Sequence, residues 1–228
     1  MRTNNTGGHT VGSIEVIVGS MFSGKTEELI RVLRRAQFAK QSIQVFKPRI
    51  DDRYSVDDVA SHDRQLLPAT VIDGAAEIYS HLHPETKVIG IDEGQFFDDE
   101  LVDVAGELAD RGLRVVIAGL DLNWKGEPFH PMPELMAIAE TVKKLRAVCV
   151  VCGESASRTQ RLVANQKAIL VGDHTSYEAR CRHCFDSDIS SRGSKTDISI
   201  SGSVASSIGG SVSSSDSKTS HYPGLELL

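Results

Sequence analysis

The sequence has no excess of positive charge, few cysteines and no long apolar run. Its 228 residues carry a formal net charge of −6, which argues against loose, charge-driven binding of nucleic acid because such binding needs a basic surface. No apolar stretch is long enough to cross a bilayer, and residues 1–12 lack the apolar centre of a secretory signal. These absences predict a soluble, cytoplasmic protein that holds any anionic ligand at a local site.

The stretch from Ser13 to Thr26 joins a β-rich segment to a glycine-containing turn. The turn reads GSMFSGKT and matches G-x-x-x-x-G-K-[ST] at each fixed position. Glycines let successive backbone N–H groups point at one anion, and a helix that begins there adds its positive end. The Lys25 ammonium would reach the outer phosphates of a nucleotide, and the Thr26 hydroxyl would reach Mg²⁺.

The context of this turn favours nucleotide binding over the alternative, a strand-to-helix turn that merely contains two glycines. A β-branched run precedes it, and residues 27–40 have helical periodicity, with Leu29, Ile30, Leu33 and Ala36 on one face. The predicted nucleotide-binding residues of the turn are Gly19, Ser20, Met21, Phe22, Ser23, Gly24, Lys25 and Thr26.

A second informative segment reads VIGIDEGQFF, an apolar strand that ends in two carboxylates. This is where a P-loop protein places its Mg²⁺-side acid, so Asp92 is the candidate, with Gln95 also on the nucleotide side. Glu93 points elsewhere because successive strand residues alternate faces, and it could act as a general base. The alternative is that both carboxylates are simply solvated at a strand end.

Strand-like and helix-like segments alternate along most of the chain, which predicts parallel strands with crossover helices. We therefore expect an α/β fold, with a P-loop (RecA-like) parallel sheet and flanking helices over residues 13–145. Residues 49–67 are rich in charge and form either a solvated surface loop or a loop beside the phosphates or substrate. The predicted strands include residues 42–46, 69–72 and 114–119, and the later helices are residues 75–82 and 98–111.

The four cysteines form two C-x-x-C pairs, separated by residues 153–180. Four thiolates would close the shell of a tetrahedral, structural Zn²⁺ site, and a redox dithiol pair is the alternative. Residues 146–186 are thus predicted to form a small zinc-ribbon-like domain. We expect a flexible start at 1–12 and a disordered Ser/Gly-rich tail at 187–228, since such compositions bury little apolar surface. The predicted metal ligands are Cys149, Cys152, Cys181 and Cys184.

Taken together and in this order, the motifs resemble the type II thymidine kinases, the zinc-containing cytosolic family of cellular and bacterial enzymes. The resemblance covers roughly residues 13–185 and rests on GSMFSGKTEELIR, DDRY, HDR, VIGIDEGQFF, GLDLNWKGEPF, AVCVVC and CRHCF. It implies transfer of the ATP γ-phosphoryl group to the 5′-hydroxyl of thymidine, and of deoxyuridine, in deoxynucleotide salvage. It also implies Mg²⁺, a homotetramer, inhibition by dTTP, and no nucleic-acid or membrane partner.

The resemblance also implies roles for individual residues. Glu93 matches the family's catalytic base, and Asp92 matches its acid on the Mg²⁺ side. Asp51 and Arg53 match a loop near the phosphates, and the long loop between the cysteine pairs is the family's lasso, whose backbone is expected to hydrogen-bond the base. The positions expected to enclose thymidine are Met21, Phe97, Leu120, Trp124, Phe129, Leu170, Val171, Gly172, Asp173 and Tyr177.

Three positions depart from the family pattern at the outer rim of the pocket. Trp124 stands where phenylalanine is usual, Asn123 where bacterial members often have aspartate, and His130 where glycine is common. Two other function classes stay open at this point. They are a P-loop ATPase without a nucleoside acceptor, and a zinc-ribbon nucleic-acid binder, which the acidic composition disfavours.

Overall fold

The computed structural model describes residues 11–49, 58–60, 66–163 and 176–187, with only the backbone at 58–60 and 66. Residues 1–10 of the expected flexible start, the expected Ser/Gly-rich tail beyond residue 187 and the loop positions Asp51 and Arg53 therefore lie outside the described residues. The same holds for Leu170, Val171, Gly172 and Asp173, so these predictions stay predictions.

A six-stranded parallel sheet forms the centre of the fold, and a short antiparallel pair (β3 and β4) lies outside it. The order across the sheet is β5-β2-β6-β7-β1-β8. Strands β6, β7 and β1 are thus direct neighbours, and their carboxyl ends lie at one edge. The strands are β1 (Ser13–Val18), β2 (Ile43–Pro48), β3 (Asp58–Ala60), β4 (Leu66–Pro68), β5 (Thr70–Ile72), β6 (Val88–Ile91), β7 (Arg114–Gly119) and β8 (Thr141–Lys144).

Within the part of the chain that the structure describes, four α-helices accompany the sheet: α1 (Lys25–Phe38), α2 (Glu77–His81), α3 (Glu100–Asp110) and α4 (Met132–Ile138). Alternate residues of each strand face opposite sides, so Ile17 packs with α1 while Val16 and Val18 pack with α3 and α4. Because both faces are covered, the central strands read as nearly continuous apolar runs. The two cores hold the sheet edge rigid at the point where the functional side chains emerge.

The predicted α/β class with a parallel sheet is confirmed, while several boundaries differ. Helix α1 begins at Lys25, two residues before its predicted start, because Gly24 in the left-handed region (φ 82°) ends the turn directly on the helix. Leu29, Ile30, Leu33 and Ala36 are buried as predicted. Helices α2 and α3 are shorter than predicted. Helix α4 and strand β8 were not predicted, since the sequences of these two segments have no clear helical or strand periodicity.

The cysteine-containing region, residues 146–163 and 176–186, is named here the cysteine module. It contains two antiparallel strand pairs, β9 (Ala147–Val148) with β10 (Ser155–Ala156), and β11 (Arg158–Arg161) with β12 (Tyr177–Arg180). Its buried cluster consists of three alanines and two of the cysteines, so it has little apolar surface to stabilise itself. Among the described helices, none combines the length and the apolar character needed to span a membrane.

Candidate functional site

Three segments with chemically useful side chains meet at the carboxyl edge of the sheet. The glycine-containing turn follows β1, Asp92 and Glu93 follow β6, and Leu120 and Asp121 follow β7. Because β6, β7 and β1 are adjacent and parallel, the ends of these strands are brought to one crevice. This is the edge at which open α/β sheets bind their ligands.

The turn from Gly19 to Thr26, named here the phosphate turn, has the conformation of an anion-binding loop. Phe22 and Gly24 both take positive φ angles, 63° and 82°, which curl the backbone. The Lys25 ammonium folds back and donates to the Ser20 carbonyl oxygen at 3.0 Å, and the Ser23 hydroxyl donates to the same oxygen at 2.8 Å. Burial lowers the pKa of Lys25, and the negative charges of nearby carboxylates, Glu93 foremost, act in the opposite direction. The neighbouring Thr26 hydroxyl donates to Asp92 at 3.3 Å, so the turn lies against the acidic pair.

Asp92 is buried directly beside the start of α1. Its Oδ2 accepts a hydrogen bond from the Thr26 hydroxyl at 3.3 Å, and its Oδ1 accepts one from the Glu93 N–H at 3.0 Å. Burial and the charge of Glu93 raise the pKa of Asp92 to about 7, although the Glu93 N–H, Lys25 and Thr26 oppose the shift. A carboxylate that resists ionisation without a cation is suited to hold a metal ion together with a hydroxyl.

Asp92→Asn is expected to stabilise the ligand-free protein at pH 8, by on the order of 1–4 kcal/mol. The folded pKa of about 7 lies above the usual value near 4, so between these pH values the folded protein keeps a proton that the unfolded chain releases. Stability therefore falls as pH rises through this window. In the variant the amide oxygen still accepts from Glu93, and its NH₂ donates to the Thr26 hydroxyl.

Thermal unfolding of both proteins between pH 4.5 and pH 8 tests this expectation. The difference in stability between the variant and the wild type should shrink towards pH 4.5. Stabilisation of the variant by ATP with Mg²⁺ should be lost. A variant that is less stable than the wild type at pH 8 would contradict the assignment of a buried, ionised Asp92.

Glu93 takes a left-handed backbone conformation, with φ 54°. A non-glycine residue in this region costs roughly 1–3 kcal/mol, and such strain is concentrated at functional sites. The side chain is half-buried, and its Oε2 accepts a hydrogen bond from the Gln95 amide at 2.5 Å. Gln95, predicted on the nucleotide side, thus directs its amide at Glu93.

The loop after β7 carries three of the predicted pocket residues, Leu120, Trp124 and Phe129, all partly exposed. Asn123 organises this loop because its side-chain oxygen accepts from two backbone N–H groups, those of residues 125 and 127. The Phe129 ring packs edge-to-face on Phe96, with centroids 6.0 Å apart. Phe97, predicted to face the pocket, is only 7% exposed and packs in the core beneath it.

Arg161 is a residue of this region that the sequence did not single out. It is fully buried on β11, and its guanidinium lies 5.0 Å from the Trp124 ring centroid and 5.9 Å from that of Tyr177. Two predicted pocket residues thus share one buried cation, and an indole gives that cation the best aromatic face. No local pattern marks Arg161, because its partners come from distant segments.

The sequence also did not reveal an ion pair between a buried carboxylate and an exposed lysine. Asp121, 5% exposed, lies 2.6 Å from the Lys144 ammonium, and its charge acts on the pKa of Lys25. The available clue was its position two residues after the buried strand β7, near the end of that strand as Asp92 is near the end of β6. Asp121 therefore adds a third carboxylate near the phosphate turn, one that Lys144 compensates.

The cysteine module contacts the phosphate turn directly. The Met21 N–H donates to the Thr159 hydroxyl at 3.0 Å, and Thr159 is buried on β11. The Phe22 ring packs on the cluster that contains Cys149 and Cys181. One backbone N–H of the turn thus donates to the module, so the shape of the turn depends on the module's position.

Thr159→Val is expected to raise the KM for ATP about tenfold, while Thr159→Ser should stay within about threefold of the wild type. Valine keeps the shape but leaves the Met21 N–H without its acceptor, at a cost of about 1–3 kcal/mol, whereas serine keeps the hydroxyl. Steady-state kinetics on the two variants separate the effects. Equal KM values in both would remove this hydrogen bond from nucleotide binding.

The four cysteines can share one metal ion. Their Sγ atoms all lie within 4.8 Å of one another, and those of Cys152 and Cys181 are 3.7 Å apart. Tetrahedral coordination with Zn–S bonds of about 2.3 Å places sulfur atoms about 3.8 Å apart, so the spacing fits. Two backbone hydrogen bonds close the turns of the two C-x-x-C pairs. They run from the Gly153 N–H to the Cys149 carbonyl oxygen and from the Phe185 N–H to the Cys181 carbonyl oxygen. The donor set fits a structural ion such as Zn²⁺.

Comparison with known proteins gives one consistent result. The family described as "Thymidine kinase" matches residues 12–185. The thymidine kinase of Bdellovibrio bacteriovorus is 61% identical over 181 residues, which cover 79% of this chain and 89% of that protein. The thymidine kinase of Bacteroides thetaiotaomicron is 55% identical over 174 residues, which cover 76% of this chain and 87% of that protein.

Proposed function

Because this chain belongs to the thymidine kinase family, we propose that its site phosphorylates thymidine from ATP with Glu93 as the general base. The observation that carries the proposal is the pair Asp92 and Glu93 at the end of β6, where Asp92 accepts a hydrogen bond from Thr26 of the glycine-containing turn. Phosphoryl transfer needs positioning and charge compensation more than covalent chemistry, and this crevice supplies both.

In the proposed reaction the 5′-oxygen of thymidine attacks the γ-phosphorus. A bond from that oxygen to phosphorus forms, the bond between the γ-phosphorus and the bridging oxygen breaks, and ADP leaves. Glu93 takes the proton of the hydroxyl, and Lys25 with the backbone of the turn holds the phosphates. Thr26 and Asp92 would hold Mg²⁺, which would neutralise phosphate charge when bound.

The acceptor is proposed to bind in the crevice between the β7 loop and the cysteine module. Met21, Leu120, Trp124, Phe129 and Tyr177 would enclose the base, with Phe97 packed beneath the pocket. Arg161 supports this proposal because its guanidinium contacts the rings of both Trp124 and Tyr177. Backbone groups of the lasso, including Leu170–Asp173, would hydrogen-bond the edge of the base and reject a wrong one.

A coupled assay of ADP formation across a panel of nucleosides tests the function. We expect ADP to form with thymidine and deoxyuridine and to stay near background without a nucleoside. Equal ADP formation with and without nucleoside would favour a P-loop ATPase. Salt-dependent retardation of DNA or RNA in a gel, without kinase activity, would favour a nucleic-acid binder.

We further propose that the cysteine module holds Zn²⁺, and that the protein is a cytoplasmic homotetramer inhibited by dTTP. The cysteine geometry supports the first proposal, and the resemblance to the type II family supports the others. Metal analysis, analytical ultracentrifugation and competition between dTTP and the substrates test them. A metal-free protein, a monomer, or activity indifferent to dTTP would each contradict the corresponding statement.

A further inference from the structure

We propose that Gln95 is a positioning residue that holds the Glu93 carboxylate against the start of the β7 loop, an inference that rests on the proposed role of Glu93. Gln95 lies in a 3-10 helix, Gly94–Phe96, that follows β6. It is only 3% exposed although its side chain is polar. In native proteins, the NH₂ group and the carbonyl oxygen of a buried side-chain amide have hydrogen-bond partners.

Both ends of the Gln95 amide are used, and each partner belongs to a different strand end. The NH₂ group donates to Glu93 Oε2 at 2.5 Å, and the carbonyl oxygen accepts from the Leu120 N–H at 2.8 Å. The first bond is charge-assisted, which makes it the stronger of the two when Glu93 is ionised. The second anchors the amide to backbone, so its orientation does not depend on a flexible side chain.

The space around this amide is shaped by two glycines. A Cβ atom at Gly119 would lie 2.8 Å from the Gln95 side-chain oxygen, and a Cβ atom at Gly94 would lie 2.9 Å from a methyl carbon of Ile117. A side chain at Gly119 would displace the Gln95 amide or Met132, whose Sδ would lie 2.7 Å from the new Cβ atom, and one at Gly94 would displace Ile117 or Met132. The glycine at position 119 thus leaves the space that the Gln95 amide occupies.

The bridge has a direct chemical consequence for the base. Glu93 sits in a turn with a left-handed backbone conformation (φ 54°), and its carboxylate accepts a hydrogen bond from the Gln95 amide. Gln95 links this carboxylate to the backbone of Leu120, a residue of the proposed acceptor pocket. Misplacing a catalytic group by about 1 Å can cost about a hundredfold in rate.

Gln95→Met tests the inference because methionine has a similar length but neither donor nor acceptor. We expect kcat to fall about 10- to 100-fold, with the KM values for thymidine and ATP within about threefold of the wild type. A kcat within about twofold of the wild type would overturn the inference, as would a loss confined to KM.

Gln95→Glu supplies a readout that a general loss of stability would not change. The new carboxyl would lie beside Glu93, and a proton shared by the two groups would restore the bridge at low pH. As pH rises and that proton is lost, the two charges would repel and displace the base. The ratio of variant to wild-type kcat is thus expected to fall from pH 6 to pH 9, and a constant ratio would overturn the inference.

Gln160→Met is the matched control. Gln160 is a fully buried glutamine whose amide bridges backbone groups of Asp186, at 2.8 Å and 2.9 Å, within the cysteine module. We expect a comparable loss of thermal stability with kcat within about threefold of the wild type. A kcat loss equal to that of Gln95→Met would overturn the inference, because any buried bridging glutamine would then have this effect.

Glu93→Gln is measured in parallel to separate this inference from the proposed function. An inactive Glu93→Gln with a fully active Gln95→Met would overturn the positioning role alone. A fully active Glu93→Gln would show that Glu93 is not the general base, and Gln95 would then have no catalytic group to position.

Discussion

Glu93→Gln is expected to lower kcat by at least about a hundredfold, while the binding of thymidine and ATP stays within about threefold. The amide has the shape of the carboxylate, and its oxygen still accepts the hydrogen bond from Gln95. It cannot take a proton from the 5′-hydroxyl. The loss therefore falls on the chemical step rather than on ground-state binding.

Calorimetric binding of each ligand together with steady-state kinetics checks this result. Glu85→Gln is a matched control, since it makes the same chemical change on the exposed surface, and it should leave kcat unchanged. Turnover of Glu93→Gln at the wild-type rate would remove Glu93 from catalysis. A large loss of affinity for either ligand would instead indicate that the carboxylate holds the site together.

Removal of the metal from the four cysteines is expected to weaken thymidine binding by more than about a hundredfold and ATP binding by about tenfold. The buried cluster of the cysteine module is too small to hold its strand pairs without a metal. The module carries Tyr177 and Arg161, proposed at the acceptor pocket. It also carries Thr159, which bonds to the Met21 N–H of the phosphate turn. Both ligands should therefore be affected, and thymidine more strongly.

Chelation followed by calorimetry measures the two affinities, and circular dichroism monitors the fold. The parallel sheet has cores of its own on both faces, so the helix and strand signal should persist. Re-addition of Zn²⁺ is the control, and it should restore both affinities. Unchanged thymidine binding in the metal-free protein would contradict the proposed role of the module. Loss of the entire helix and strand signal would instead show that the whole fold requires the metal.

The phosphate turn, the acidic pair and the cysteine pairs were all predictable from short stretches of sequence. Each is local: eight consecutive residues form the turn, and the side chains of Asp92 and Glu93 emerge from one strand end. The predicted apolar face of α1 is buried for the same reason, because helical periodicity is a property of neighbouring residues. The element boundaries were less accurate, since caps and turns shift by a residue or two.

The sequence by itself determined that this chain contains a turn with the phosphate-binding pattern, a carboxylate pair and two C-x-x-C pairs, because each of these motifs depends on residues within one segment. Only the tertiary structure decided which segments meet. The pairing of β6 with β7 brings Leu120 to Gln95, and the docking of the cysteine module brings Thr159 to Met21 and Arg161 to Trp124. Such contacts join residues that are dozens of positions apart, and chain packing rather than local conformational preference selects them.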